Sequence, residues 1–247
     1  MYHQELQEMS NPAARLHAIL LRSKQQELRP KNMLAAWRTV LQLPEQLDDL
    51  ITMNRVSKVF TLPSIISGQI QRFSDLDEEL YLGWRQDLST AFRVINFNAQ
   101  FNEFSQRLSD SLLISIRFCA HELDKRAPEK DVSSEELDSL RESAWSLYEE
   151  VVKADLPNEI SRYLLDYLYL IIEAIDDYAV TGAVGMERAL NAVLGTIITD
   201  SARAENVRKS QFGEKFWIVV TKVGVVLKLA KTATELAEGV RKLLISP

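Results

Sequence analysis

Residues 216–240 read "FWIVVTKVGVVLKLAKTATELAEGV", the most apolar stretch of this 247-residue chain. The fold turns on where this stretch goes: into a bilayer, into the protein's own core, or onto a partner. A spanning helix needs about 20 mostly apolar residues. The dense run 216–230 is shorter and contains Lys222 and Lys228. On an insertion scale its Phe, Ile, Val and Leu residues contribute roughly −3 to −5 kcal/mol, and two central lysines cost about 5 to 7 kcal/mol. The balance is against spanning.

Read as a helix, the segment lines up Phe216, Val220, Val223, Leu227, Ala230, Ala237, Val240 and Leu244 on one stripe, with Lys228, Lys231, Glu235, Glu238 and Lys242 opposite. That spacing describes an amphipathic helix over about 214–245, roughly 45 Å long. Such a helix can pack on a helical bundle or lie on an anionic membrane surface. Glu235 and Glu238 dilute the positive face that lipid binding needs, so the expectation is docking on protein, either its own bundle or a second copy.

The charge layout agrees with that expectation. The formal net charge is −6. Residues 122–177 hold six basic against sixteen acidic residues, and residues 201–247 hold nine against four. An acidic middle and a basic tail attract each other, although exposed pairs contribute only about 0–1 kcal/mol each. Apolar burial would supply most of the docking energy, at about 25 cal/mol per Å².

Working outward, helical periodicity dominates and no alternating strand pattern appears. Ser10 or Asn11 is the expected N-cap before Pro12, and Leu16, Ile19 and Leu20 share a face. Pro30, Pro44 and Pro63 each fall where a helix can start. The segments they open carry Leu34, Trp37, Val40 and Leu41, then Leu47, Leu50 and Ile51, then Ile65, Ile66 and Ile70. From about 75 to 126 the stripe Phe97, Phe101, Phe104, Leu108, Leu112, Ile116, Cys119 and Leu123 predicts one helix side, with a break near Asn96–Asn98. Ser133 and Glu136 have capping-box spacing ahead of a helix over about 134–154. Another is expected over about 158–179, with Glu173, Asp176 and Asp177 as an acidic face, most simply a solvated one. Gly182 and Gly185 mark a turn, and 199–213 reads as a polar linker.

Motifs that could carry chemistry do not complete themselves. His121–Glu122 begins a zincin HExxH, but Lys125 stands where the second histidine belongs. The residues three before His17 and His121 are Ala14 and Phe118, so the Glu-x-x-His pairs of di-iron bundles are missing. Helical nucleases with Arg-x4–6-His motifs need a wider spacing than Arg117 and His121 give. Cys119 lies on the apolar stripe, which favours burial over nucleophilicity. Catalytic, cofactor and metal residues are therefore all expected to be none. No patch of basic and exposed aromatic residues suggests nucleic acid, and no small-molecule substrate is indicated.

"AIDDYAVTGAVGMERALNAVLG" (174–195), with "AWRTVLQLP" (36–44) and "LYEEVVKADLP" (147–157), resembles a pattern in uncharacterised bacterial all-helical proteins over about 13–200. The resemblance implies no activity. Its physical content is a fixed helix–turn–helix corner at Tyr178, Gly182 and Gly185.

The sequence thus predicts an all-α, irregular multi-helix bundle with a long amphipathic C-terminal helix. The expected layout is a bundle over 1–200, a linker over 201–213 and a helix over 214–247. The single cysteine fits a reducing compartment, and the N-terminus shows no signal-peptide pattern, so a cytoplasmic location is expected. The expected function is that of a non-enzymatic interaction or adaptor protein with a protein partner, self-association through the tail being one mode. The alternatives are a membrane-active effector that binds lipid through 214–245 and a divergent helical nuclease.

Overall fold

The computed structural model describes residues 11–228, and they form an all-α fold with no strand among them. The chain divides into two compact units, 1–129 and 130–247. The division falls at residue 129, inside the span 1–200 expected as one bundle.

The first unit contains α1 (Pro12–Ser23), a 3-10 turn (Gln26–Leu28), α2 (Met33–Val40), α3 (Asp49–Val59), α4 (Leu62–Ile70), α5 (Glu78–Leu82), α6 (Trp84–Phe92), α7 (Asn102–Ser105) and α8 (Asp110–Arg126). Asn11 caps α1 by accepting from the amides of Ala13 and Ala14, both at 3.1 Å, and its Nδ2 donates to Ala120 O in α8 at 2.9 Å. One side chain therefore starts α1 and ties it to its main packing partner. Leu16, Ile19 and Leu20 of α1 and Ile116, Cys119 and Leu123 of α8 are buried. Trp37 stacks among Phe101 and Phe104, with ring centroids 5.8 and 5.3 Å away. An isolated bridge between Asn32 and Gln100 pins the loop before α7, where Met33 N donates to Ala99 O at 2.9 Å and Phe101 N to Lys31 O at 3.0 Å.

Two expectations fail in this unit. The eight-residue stripe from Phe97 to Leu123 is spread over a loop, α7, a turn and α8. Seven of its members, Phe101 to Leu123, are nevertheless buried and Phe97 is half-buried. Apolar residues at helical spacing can reach one core from consecutive short elements as well as from one helix. The third segment begins at Asp49 behind the N-cap Asp48, not at Pro44. Leu50 and Ile51 are exposed, and Thr52, Val56 and Val59 take the core positions.

The second unit contains α9 (Ser134–Lys153), α10 (Asn158–Asp176), α11 (Tyr178–Thr199), α12 (Ser201–Lys209) and α13 (Gly213–Val226). The capping box forms, with Ser133 accepting from Glu136 N at 3.2 Å and Glu136 accepting from Ser133 N at 3.0 Å. α10 packs against α9 and α11, and α13 packs against α9, α11 and α12. The stretch expected as a polar linker instead carries α12, whose Ala204 and Val207 are buried, as is Phe212 after it. Its polar composition reflects ion pairs along its surface, Glu205 to Arg208 at 2.5 Å among them. Gly213 permits the sharp entry into α13: a Cβ there would lie 2.4 Å from Arg208 O and 2.5 Å from Val207 O.

Candidate functional site

The tail face comes first, because the functional expectation rested on it. Phe216, Val220, Val223 and Leu227 are all buried, together with Val219, in the core of the second unit. Phe216 meets Tyr163 of α10 edge-on with 6.1 Å between ring centroids. Charge contributes at the margin: Lys215 Nζ donates to Glu150 Oε2 at 2.5 Å and Lys222 Nζ to Ser143 Oγ at 3.0 Å, both on α9. These apolar side chains face their own polypeptide, so as a surface for a second molecule they are already occupied. The helix is also shorter than expected: α13 ends at Val226, and Lys228 turns to a φ of 50°. Ala230, Ala237, Val240 and Leu244 lie outside the described residues.

The corner at Tyr178 is built differently from a glycine turn. The chain turns at Asp177, and α11 begins at once with Tyr178. The kink lies inside α11 at Gly182, with φ 62° and ψ −163°, a conformation that essentially only glycine adopts. Gly185 is helical, and a methyl there would lie 2.2 Å from Thr181 Oγ1. Tyr178 OH accepts from Val132 N at 2.9 Å and faces Lys130 O at 3.4 Å, which fastens the strand-like entry to α9 against α11. The corner is thus structural in its contacts.

The acidic trio is not a uniformly solvated face. Asp177 is buried at 3% exposure, and its carbonyl accepts from Thr181 Oγ1 at 3.1 Å. Asp176 accepts from Arg141 Nε of α9 at 2.6 Å. Glu173 is half-buried. Among the described residues no group of three or more His, Cys, Asp and Glu is placed to hold a metal ion.

The residues tested for chemistry are held by their neighbours. Glu122 accepts from Arg126 Nε at 3.1 Å and Lys125 Nζ at 3.4 Å, and the Arg126 hydrogen bond in particular lowers its pKa. Arg126 also grips Asp75 with two bonds of 2.9 and 2.8 Å. Burial pushes the Cys119 thiol up to about 11, and Sγ donates to Tyr81 O at 3.0 Å. A thiol so placed is a poor nucleophile. His121 is exposed on α8 and His17 is buried on α1.

A surface that the sequence reading passed over is more suggestive. On α9, Arg141, Trp145, Tyr148 and Val152 recur at steps of four, three and four, off the buried stripe of Leu140, Ala144, Leu147 and Val151. Trp145 and Tyr148 stack at 5.2 Å with an 8° interplanar angle. Trp145 is 39% exposed and Val152 57%. The Arg141–Asp176 pair fixes the antiparallel register of α9 and α10. Tyr148 on α9 and Tyr169 on α10 each stand seven residues, about two turns, from that pair, and Tyr169 is 49% exposed. Tyr148 is half-buried and packs against the core at the edge of this surface, and the four-residue step from Arg141 to Trp145 is the signal the sequence offers for it. No family model, curated protein or solved structure matches the chain.

Proposed function

We propose that this is a non-enzymatic, cytoplasmic interaction or adaptor protein that engages a protein partner through helical surfaces. The observation that carries this reading is the exposure of Trp145 and Val152 on one side of α9 and of Tyr169 on its packing partner α10. Large aromatic side chains presented on rigid helices lose little entropy on binding and are the usual anchors of interfaces. Exposed acids on α9, Glu142 and Glu149 among them, accompany these side chains and favour a partner that combines apolar and basic groups. This moves the interaction surface from the tail helix to the paired helices in front of it. The lipid-binding alternative would require Phe216, Val220, Val223 and Leu227 to leave the core they fill.

The test uses a photo-crosslinker installed at position 152, with one at exposed position 107 as control. The reading expects a protein adduct from position 152 in cells of the host, lost when Trp145→Ala and Tyr169→Ala are combined. An adduct with a second copy would make the protein self-associating through this face, and sedimentation would show a dimer. Equal or absent adducts at both positions, with a monomer in sedimentation, would overturn the reading.

A further inference from the structure

We infer that the first unit carries a binding site for a small organic anion with an aromatic body, in an open cleft between α4 and α6. The cleft has a volume of about 730 Å³, within the range of small-molecule pockets. Its wall on one side is Phe60 and Pro63 with Ser64 in the first turn of α4. On the other side are Arg85, Ser89, Phe92 and Arg93 of α6.

Three features define the ligand. The first is charge. Arg85 and Arg93 both line the cleft, no carboxylate does, and neither guanidinium has an ion-pair partner among the described residues. Several other arginines of the unit are engaged: Arg15 with Glu129, Arg38 with Asp49, Arg126 with Asp75 and Glu122. Two cations left in one concavity form a field that favours an anion, and the guanidinium fork suits carboxylate or phosphate oxygens.

The second feature is aromatic surface. Phe60 and Phe92 lie 4.8 Å apart at a 47° tilt, and Phe92 leans on Phe104 of the core at 6.1 Å. Phe60 keeps 36% of its surface exposed. A flat apolar group laid against these rings would gain offset or edge contacts. The third is hydrogen bonding: Ser64, Gln86 and Ser89 line the same cleft and offer hydroxyl and amide groups to orient a polar substituent.

The spacing that builds the site is a sequence feature. Residues 82, 85, 89 and 92 recur at three- and four-residue steps along the end of α5 and one face of α6, with Arg93 next to them at the C-cap, while Asp87 falls on the opposite face. The side chains buried beneath, Trp84, Leu88 and Ala91, are different ones. α6 therefore spends one face on the core and offers the next to the cleft.

Isothermal titration and fluorescence with 1-naphthyl phosphate, inorganic phosphate and neutral 2-naphthol test the inference on the full chain. Wild type should bind one equivalent of 1-naphthyl phosphate saturably, and more tightly than either of the other two probes. Combining Arg85→Ala with Arg93→Ala should weaken that binding by about tenfold or more while leaving the circular dichroism spectrum and urea midpoint unchanged, since both side chains are exposed. Arg107→Ala, an exposed arginine outside the cleft, should bind as wild type does. No saturable binding by wild type would overturn the inference, as would equal loss in the Arg107 variant. Inorganic phosphate or 2-naphthol binding as tightly as 1-naphthyl phosphate would overturn it too.

Discussion

The two units reach stable cores by different routes. Among its described residues the first uses eight helices, several of only four to nine residues, and gathers them around Trp37, Phe101 and Phe104. Its connections depend on side chains that bond backbone, such as Asn11 to Ala120 O and Arg38 Nη2 to Leu47 O at 2.7 Å. The second uses, among its described residues, five helices, two of nineteen and twenty residues and one of twenty-two, around a mainly aliphatic core. Short helices cannot stabilise themselves and borrow order from tertiary contacts. Long ones present an apolar stripe whose period already states which side is inside.

Single truncations at the two cores test this contrast with the largest effects. Trp37→Ala and Phe216→Ala each remove a fully buried ring, and each should cost about 3–5 kcal/mol in urea unfolding. A cost below about 1 kcal/mol for Phe216→Ala would mean that α13 is not part of the core. Gly182→Ala comes next. It forces a side chain into a φ of 62° with ψ −163° and should destabilise by about 1–3 kcal/mol, whereas Gly68→Ala, with nothing within 4 Å of its added Cβ, should be neutral or stabilising.

Helix caps sharpen the comparison at a smaller scale. Ser133→Ala removes an exposed cap and should cost about 1 kcal/mol. Asn11→Ala removes a buried cap together with the Nδ2 bond that ties α1 to Ala120 O of α8, so its cost should be larger, about 2 kcal/mol.

The smallest effect is pH-dependent and belongs to the first unit. Burial, then the charge of Arg117, lowers the pKa of His17 from its ordinary 6.5, and its Nδ1 makes no hydrogen bond. The unfolded chain takes up a proton near 6.5 and the folded one only at lower pH. Stability is therefore complete above 6.5, falls as pH drops through 6.5 toward the lowered value, and levels off below it. His17→Gln should flatten that part of the stability profile. An unchanged slope would contradict the assignment.

These regions also differ in how much their sequence disclosed. Where periodicity ran for five turns the reading was close: helices over about 134–154 and 158–179 correspond to Ser134–Lys153 and Asn158–Asp176. The capping box was legible because its two partners are three residues apart. Between residues 75 and 126 the buried set was legible and the elements were not. A burial stripe records only which side chains meet, and Phe101, Phe104 and Leu108 meet the core from a turn and α7 as readily as from one helix. α12 escaped because its apolar contribution is just Ala204 and Val207 within a charged sequence. The α9–α10 surface and the α4–α6 cleft were half legible: spacing marks the α9 and α6 faces, but no local spacing reports which second helix completes each.

The apolar face of 216–227 is interior to its own unit. Hydrogen exchange on the intact protein tests it most directly. The amides of α13 from Phe216 to Val223 should be protected to the same degree as those of α10 from Leu164 to Ile172, because both line one core. Exchange of α13 many times faster than α10, as for a helix that detaches while the rest stays folded, would contradict it.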